Sequence, residues 1–156
     1  MIPTSGDVIH YTWSDIDTAV SEIIKQLDTK PELIVGIARG GLVPAVMFSH
    51  ALNVPLEVLY WSTRDFQQQR IESLKFLAGL NKQILFVDDL VDSGKTLIQI
   101  KDAINQYAPE MKYETAALIH NIGQLEIDPD YYHDIIDRRV DQRWVIFAYE
   151  RDETSI

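Results

Sequence analysis

Residues 88–96, which read DDLVDSGKT, bring together three aspartates, a serine, a lysine and a threonine. Backbone amides at the start of a helix bind phosphate well, and Gly94 lets the chain turn tightly into such a helix. The hydroxyl groups of Ser93 and Thr96 and the ammonium of Lys95 add hydrogen-bond donors. The end of this segment therefore predicts a phosphate-binding loop.

Asp88 and Asp89 need a different explanation, because a carboxylate within ~4 Å of a phosphate is repelled by roughly several kcal/mol where water is partly excluded. The two acids suit a part of the ligand that offers donors, such as a ribose diol, or that carries Mg²⁺. Phosphate beside hydroxyl groups points to a phosphorylated ribose.

A nucleotide-binding P-loop is the nearest alternative, because that motif also ends in Gly-Lys-Thr. The motif requires a glycine five residues before Gly94, and this chain has Asp89 there. The P-loop interpretation is therefore excluded. An acidic first turn that favours the helix dipole accounts for one aspartate but not for three.

Strands and helices that alternate along the chain must position these residues. A buried strand is predicted at residues 84–87 and a helix at 96–107, and a second strand at 33–37 precedes Arg39-Gly40-Gly41 and another helix. The pattern predicts one α/β domain over residues 1–156, with a mostly parallel sheet flanked by helices. Ligands of such sheets bind beyond the carboxyl ends of the strands. Further strands are predicted at 56–61, 115–120 and 144–147.

The composition narrows the class of protein. The formal net charge is −10, which argues against broad nucleic-acid binding and requires a phosphate site to concentrate positive charge or recruit a cation. The absence of cysteine excludes disulfides and thiolate metal sites. No long apolar run or secretory signal is evident, so neither a membrane nor export is expected, and a cytoplasmic location is predicted. Residues 62–75 are polar and are predicted to form a mobile loop.

A family resemblance follows from these motifs. The segment VDDLVDSGKT resembles the phosphoribosyl pyrophosphate (PRPP) motif of type I phosphoribosyltransferases, and IVGIARGGLVPAV resembles their pyrophosphate loop. Thr12-Trp13 and the segment from Trp144 to Glu150 resemble the bacterial xanthine-guanine and hypoxanthine subgroup. The resemblance implies the type I fold, with a base-recognising hood from about 121–156 and the mobile loop at about 62–75.

The resemblance also assigns the sugar and phosphate sites. Asp88 and Asp89 would bind the ribose hydroxyls and a metal, and Asp92 would exchange a proton with a ring nitrogen of the base, although it could instead only cap the helix. Glu150 would be a further acid for the metal, which is Mg²⁺ in this family. The residues implied to hold the 5-phosphate are Asp92, Ser93, Gly94, Lys95 and Thr96.

Arg39 and Gly40, with Gly41, would take the pyrophosphate, and the family commonly has a cis peptide here, at Ala38–Arg39. Arg70 matches a basic residue near the pyrophosphate. Within the mobile loop, the subgroup's serine-tyrosine pair is replaced by Thr63-Arg64.

The base pocket is implied less completely. Trp144 matches the aromatic residue that stacks on the purine, and Val145 the residue whose backbone meets the base edge. Enzymes for 6-oxopurines carry a lysine at the end of the preceding strand, and the corresponding stretch here, residues 118–121, has none. Within it, the amide of Asn121 can either donate or accept, and His120 is a further donor.

The resemblance implies transfer of the 5-phosphoribosyl group from PRPP to a nucleobase, most simply a 6-oxopurine, with release of pyrophosphate. Two alternatives remain open: a transferase for adenine or a pyrimidine, and a non-catalytic PRPP or nucleotide sensor on the same fold. Family members commonly form dimers or tetramers, so a homo-oligomer is expected.

Overall fold

Strands and helices alternate through the middle of the chain. The structure, a computed structural model, describes residues 7–61 and 67–150. The elements in chain order are β1 (Val8–Tyr11), α1 (Trp13–Gln26), β2 (Leu33–Ala38), α2 (Leu42–Leu52), β3 (Leu56–Tyr60), α3 (Gln67–Gly79), β4 (Ile84–Val91), α4 (Lys95–Tyr107), β5 (Tyr113–Asn121), β6 (Tyr131–Ile136) and β7 (Trp144–Phe147).

Two parallel sheets organise these elements. The larger sheet has five strands in the order β3-β2-β4-β5-β6, and every pairing within it is parallel. The smaller sheet pairs β1 with β7, also in parallel, with Val8 opposite Trp144. The predicted α/β fold with a mostly parallel sheet is confirmed.

Helices cover both faces of the larger sheet. On one face, Leu85 and Val87 of β4 belong to a buried cluster that includes residues of α1 and α2. On the other face, Ile84 and Phe86 pack with residues of α3 and α4. Each fully buried side chain of this kind stabilises the fold by roughly 1.5–3 kcal/mol. Burial on both sides therefore anchors β4, and with it the acidic residues at its end.

The centre of the larger sheet contains a topological switch point. β2 and β4 are neighbours, but from β2 the chain passes through α2 to β3 on one side, whereas from β4 it passes through α4 to β5 on the other. The loops that leave the two strands therefore diverge and open a crevice, which is where ligands bind in open α/β sheets.

The segment predicted as a mobile loop at 62–75 differs in the structure. Residues from Gln67 onward are helical, because Leu74, Leu77 and Ala78 recur at helical spacing and are buried against the sheet. The loop prediction was therefore wrong for residues 67–75. The other part of that loop, including Thr63 and Arg64, lies outside the described residues.

Two strands were missed in the sequence. β1 is short, and β6 mixes two tyrosines and a histidine with charged Asp134, so neither shows an apolar run. β4 is also longer than predicted, because Asp88 and Asp89 continue the strand instead of beginning the turn. No helix within residues 7–61 and 67–150 is both long and apolar enough to cross a membrane.

Candidate active site

An acid pair lies at the carboxyl end of β4. The amide of Asp89 donates to Oδ1 of Asp88 at 2.9 Å, and the amide of Leu90 donates to Oδ1 of Asp89 at 2.7 Å. Each carboxylate is thus fixed by the main-chain amide that follows it. The two acids of the PRPP motif are held side by side on a buried strand, beside the crevice between β2 and β4.

Two negative charges on Asp88 and Asp89 would be unfavourable, because both carboxylates lie close together in a buried site. Burial raises the pKa of Asp88 to about 8, and the neighbouring negative charge of Asp89 adds to the increase. Within the described part of the chain, no basic side chain forms an ion pair with either carboxylate. Hard oxygen donors without a protein cation fit Mg²⁺ or the hydroxyl groups of a sugar.

The glycine loop after β2 is pressed against the acid pair. The Ala38–Arg39 peptide bond is cis, as the resemblance implied. A Cβ atom on Gly40 would lie 2.2 Å from Oδ2 of Asp89, so a larger residue there would require the Asp89 carboxylate or the loop to move. The side chain of Arg39 is exposed at the mouth of the crevice. The structure therefore brings together Asp89 and the predicted pyrophosphate loop.

Tyr149 joins this cluster from the end of the described chain. Its hydroxyl oxygen lies 3.0 Å from both the carbonyl oxygen of Gly40 and Oδ2 of Asp89. Burial raises its pKa well above the usual range, and the charge of Asp89 raises it further, so the hydroxyl stays protonated and donates. The sequence did not single out Tyr149. Glu150 beside it accepts a hydrogen bond from the amide of Phe147 at 2.9 Å and remains exposed.

The turn after β4 has the form of a phosphate cradle. Gly94 precedes α4 with φ of 80°, a left-handed conformation that favours glycine, and its lack of a side chain leaves the first turn without a side-chain cap. The amide of Lys95 donates to Oγ of Ser93 at 3.4 Å, and both of these side chains are exposed. Thr96 follows in the first turn of the helix, so the predicted phosphate residues do line one turn.

Asp92 begins that turn and is paired with a residue that the sequence did not reveal. Arg138 donates from Nε to Oδ1 and from Nη2 to Oδ2 of Asp92, each at 3.2 Å. Arg138 lies in the charged run Asp137-Arg138-Arg139, which in sequence is typical of a solvated surface. In the structure its side chain is only 18% exposed, unlike that of Arg139.

Asn121 holds this ion pair in place. Its amide nitrogen donates to the carbonyl oxygen of Asp92 at 3.0 Å and to Oδ1 of the same residue at 3.3 Å. Its amide oxygen accepts from the backbone of Gly123 at 2.8 Å and of Arg138 at 3.1 Å. Asn121 was predicted to contact the base, and here both ends of its buried amide bond to protein groups. Its contact with a base stays a prediction.

An open cavity of about 440 Å³ lies next to the phosphate turn. Trp144 is 62% exposed on its wall, whereas the adjacent Val145 is buried in the core. A large exposed indole beside polar groups is suited to stacking on a flat ring. The residues that line the cavity are Asp92, Ser93, Asn121, Arg138, Gln142 and Trp144.

Arg70 and His120, two further residues that the sequence suggested, lie in different surroundings. The guanidinium of Arg70 lies over the ring of Trp61, 4.9 Å from its centroid, at the end of β3 next to β2. His120 is buried, and its Nε2 lies 2.9 Å from Oδ1 of Asp128. Among the described residues, no group of three or more acidic, histidine or cysteine side chains could hold a metal ion on its own.

Comparison with known proteins finds one matching family and several named relatives. The chain matches the phosphoribosyl transferase domain over residues 10–154. Xanthine-guanine phosphoribosyltransferase of Cereibacter sphaeroides is 36% identical over 100 residues, and that match spans 56% of this chain but only 60% of the relative. The protein of the same name from Idiomarina loihiensis is 26% identical over 146 residues, which are 89% of this chain and 84% of that protein.

Solved structures show the same fold. Purine phosphoribosyltransferase from Pyrococcus horikoshii superposes with a TM-score of 0.68 at 27% identity, covering 93% of this chain and 95% of the other. The xanthine-guanine-hypoxanthine phosphoribosyltransferase of Helicobacter pylori gives a TM-score of 0.70 at 18% identity, over 95% of each chain. The second likeness concerns the fold alone.

Proposed function

The chain belongs to the phosphoribosyl transferase family, and from that membership we propose that it transfers the 5-phosphoribosyl group of PRPP to a 6-oxopurine and releases pyrophosphate. The observation that carries the proposal is the contact between Asp89 of the acid pair and the glycine loop at Gly40, in the crevice between β2 and β4. It joins a diol-binding group to a phosphate-binding loop, as a phosphorylated ribose with a pyrophosphate substituent requires.

PRPP would span the two loops of the crevice. The carboxylates of Asp88 and Asp89 accept hydrogen bonds from the ribose hydroxyls, which places negative charge near a reacting carbon that becomes positive. The turn from Asp92 to Thr96 binds the 5-phosphate through main-chain amides at the start of α4. Arg39 and the main chain of Gly40, with Arg70 on the β3 side, bind the pyrophosphate.

A divalent cation fits the acid pair. Asp88 and Asp89 would hold Mg²⁺ together with oxygen atoms of the substrate, since the pair has oxygen ligands and no basic partner in the described chain, whereas Glu150 forms no three-residue metal site with them among the described residues. When bound, Mg²⁺ supplies positive charge that neutralises the pyrophosphate leaving group.

The base would enter the cavity beside Asp92. Trp144 offers its ring face for stacking. By the resemblance, the main chain of Val145 would meet the base edge. In the reaction, the bond from the anomeric carbon to pyrophosphate breaks, a bond to a ring nitrogen forms, and the base loses a proton. Asp92 would hold such a proton at a carboxylate oxygen. The names of the similar proteins support 6-oxopurines as the acceptor class.

The proposed function is tested by pyrophosphate release from PRPP and Mg²⁺ with hypoxanthine, xanthine, guanine, adenine, uracil and orotate. We expect turnover with at least one of the first three bases and little with the others. The variant Asp92→Asn should lower turnover by about 100-fold or more while PRPP affinity changes little, because general acid–base catalysis typically contributes that much. PRPP binding without turnover of any base would overturn the proposed enzymatic function and favour a non-catalytic PRPP sensor.

A further inference from the structure

Arg138 lies where a base would meet protein. Its side chain is 18% exposed, lines the same cavity as Trp144, and is fixed by Asp92 on one side and by the carbonyl oxygen of Arg143 on the other. Arg138 is thus an ordered cation in the wall of a pocket, in contrast to Arg139, whose side chain is 61% exposed and pairs with Asp137.

The hydrogen-bonding capacity of Arg138 is not used up by these contacts. A guanidinium has five N–H donors. Nε and one donor of Nη2 are directed to Asp92, and one donor of Nη1 is directed to Arg143. Within the described residues, one donor on each terminal nitrogen is left for a ligand.

Asp92 keeps a matching acceptor beside those donors. Its Oδ1 accepts from both Arg138 and Asn121, but Oδ2 accepts only from Nη2 of Arg138 within the described chain. Nη2 and Oδ2 are 3.2 Å apart, so a donor and an acceptor stand side by side. Asn121 cannot substitute for either, because both ends of its amide are bonded to protein.

Such a donor–acceptor pair distinguishes between purines. A 6-oxopurine with its proton on N7 presents an acceptor, O6, next to a donor, N7–H, on the same edge. Adenine presents an amino group at the O6 position, and that donor would face the donor of Arg138. A buried polar mismatch of this kind is strongly disfavoured.

We propose that Arg138 is the residue that selects the base: its Nη2 donates to O6 of a 6-oxopurine while Oδ2 of Asp92 accepts from N7–H of the same base. This inference rests on the proposed function, and it assigns the oxo contact to a residue of the segment between β6 and β7 instead of to Asn121.

The test removes the contact between Arg138 and O6 in two ways: by changing the residue and by changing the base. Steady-state kinetics with PRPP and Mg²⁺ are measured for hypoxanthine and for unsubstituted purine, which lacks O6, with wild type, Arg138→Gln and the matched control Arg139→Gln. We expect Arg138→Gln to lower kcat/KM for hypoxanthine about 10- to 100-fold and that for purine less than about 3-fold. The KM for PRPP should change little, and Arg139→Gln should behave as wild type.

An equal loss for both bases would overturn the proposal, since it would mean that Arg138 only positions Asp92. If Arg138→Gln fails to fold, Arg138→Lys replaces it, and an unchanged hypoxanthine-to-purine ratio in that variant, which keeps charge but alters the fork, would likewise count against the contact.

Failure of the proposed function is a separate outcome. If wild type releases no pyrophosphate with any base, calorimetry in the presence of PRPP and Mg²⁺ decides the matter with hypoxanthine and unsubstituted purine, which can both carry a proton on N7 and differ at O6. Stronger binding of the former, lost in Arg138→Gln, would sustain the role of Arg138. No discrimination, or no binding of either base, would overturn it.

Discussion

Asp88 illustrates how an acidic residue of the candidate site is buried although its charged form favours water. Burial and the neighbouring Asp89 raise its pKa to about 8. In the unfolded chain this carboxyl loses its proton near its ordinary pKa of 3.8, whereas in the folded protein its raised pKa keeps the proton bound to much higher pH. The unfolding free energy contributed by Asp88 is therefore largest below pH 4 and falls as the pH rises toward 8.

The first prediction follows for Asp88→Asn. Asparagine keeps an oxygen that accepts from the amide of Asp89 but carries no charge, so the ligand-free variant should be more stable than wild type at pH 8 by ~1 kcal/mol, or about 2–4 °C in Tm. At pH 5 the difference should shrink. Thermal unfolding at both pH values measures this.

The control is Asp102→Asn on the exposed side of α4, which should leave the pH dependence as in wild type. If Asp88→Asn is destabilising at pH 8, the carboxylate is favourably solvated or paired in the free protein, contrary to the geometry described above.

Sequence reasoning could single out candidate site residues where the chemistry is local in the chain. Asp88, Asp89 and residues 92–96 could be assigned because carboxylates, glycine and hydroxyls follow one another directly. Arg138 and Tyr149 could not, because their significance comes from partners 46 and 60 residues away. A charged run and an aromatic residue in sequence give no sign of which distant side chain they will contact.

At the level of elements, the approach of the β2–α2 loop to the end of β4 is the decisive contact. The second prediction tests it with Gly40→Ala. The added Cβ would lie 2.2 Å from Oδ2 of Asp89, so the acid pair or the loop must move. We expect PRPP affinity to fall at least about 10-fold and stability to fall by roughly 1–3 kcal/mol, as measured by calorimetry and denaturant unfolding.

Gly79→Ala is the matched control for this variant. No atom lies within 4 Å of a Cβ at Gly79, at the end of α3, so alanine should be neutral or stabilising and PRPP affinity unchanged. Normal PRPP affinity in Gly40→Ala would show that the loop does not need its contact with Asp89.

The elements themselves were predictable to the extent that their apolar pattern is continuous. β2, β4 and α4 were predicted, because their buried apolar residues follow one another in a regular pattern. α3 was not, because its polar beginning, Gln67-Gln68-Gln69, hides the apolar positions of its second half. β6 and β1 were missed because their residues contact both core and solvent.

At the scale of the whole molecule, the net charge should influence how fast an anionic substrate associates. A formal net charge of −10 repels the anionic PRPP at long range, although Arg39 and Lys95 attract it locally. The third prediction is that the association rate of PRPP rises about two- to fivefold between about 0.01 and about 0.15 M ionic strength, as the Debye length falls from about 30 to about 8 Å.

Stopped-flow fluorescence measures this rate, and the association of uncharged hypoxanthine serves as the control that salt should not change. A PRPP association rate that falls with salt would show that local positive charge outweighs the net charge of the molecule.

The assembly into dimers or tetramers stays a prediction, which light scattering on the purified chain would decide.

The pairing of β1 with β7 has a consequence for the order in which the molecule is made. Synthesis from the amino end completes the strands of the five-stranded sheet at Ile136, whereas Val8–Tyr11 gains its partner only when Trp144–Phe147 has been added. The main-chain groups of the first strand thus wait for nearly the whole length of the chain. Under the proposed function, Trp144, which would stack on the base, is positioned only when this late pairing forms.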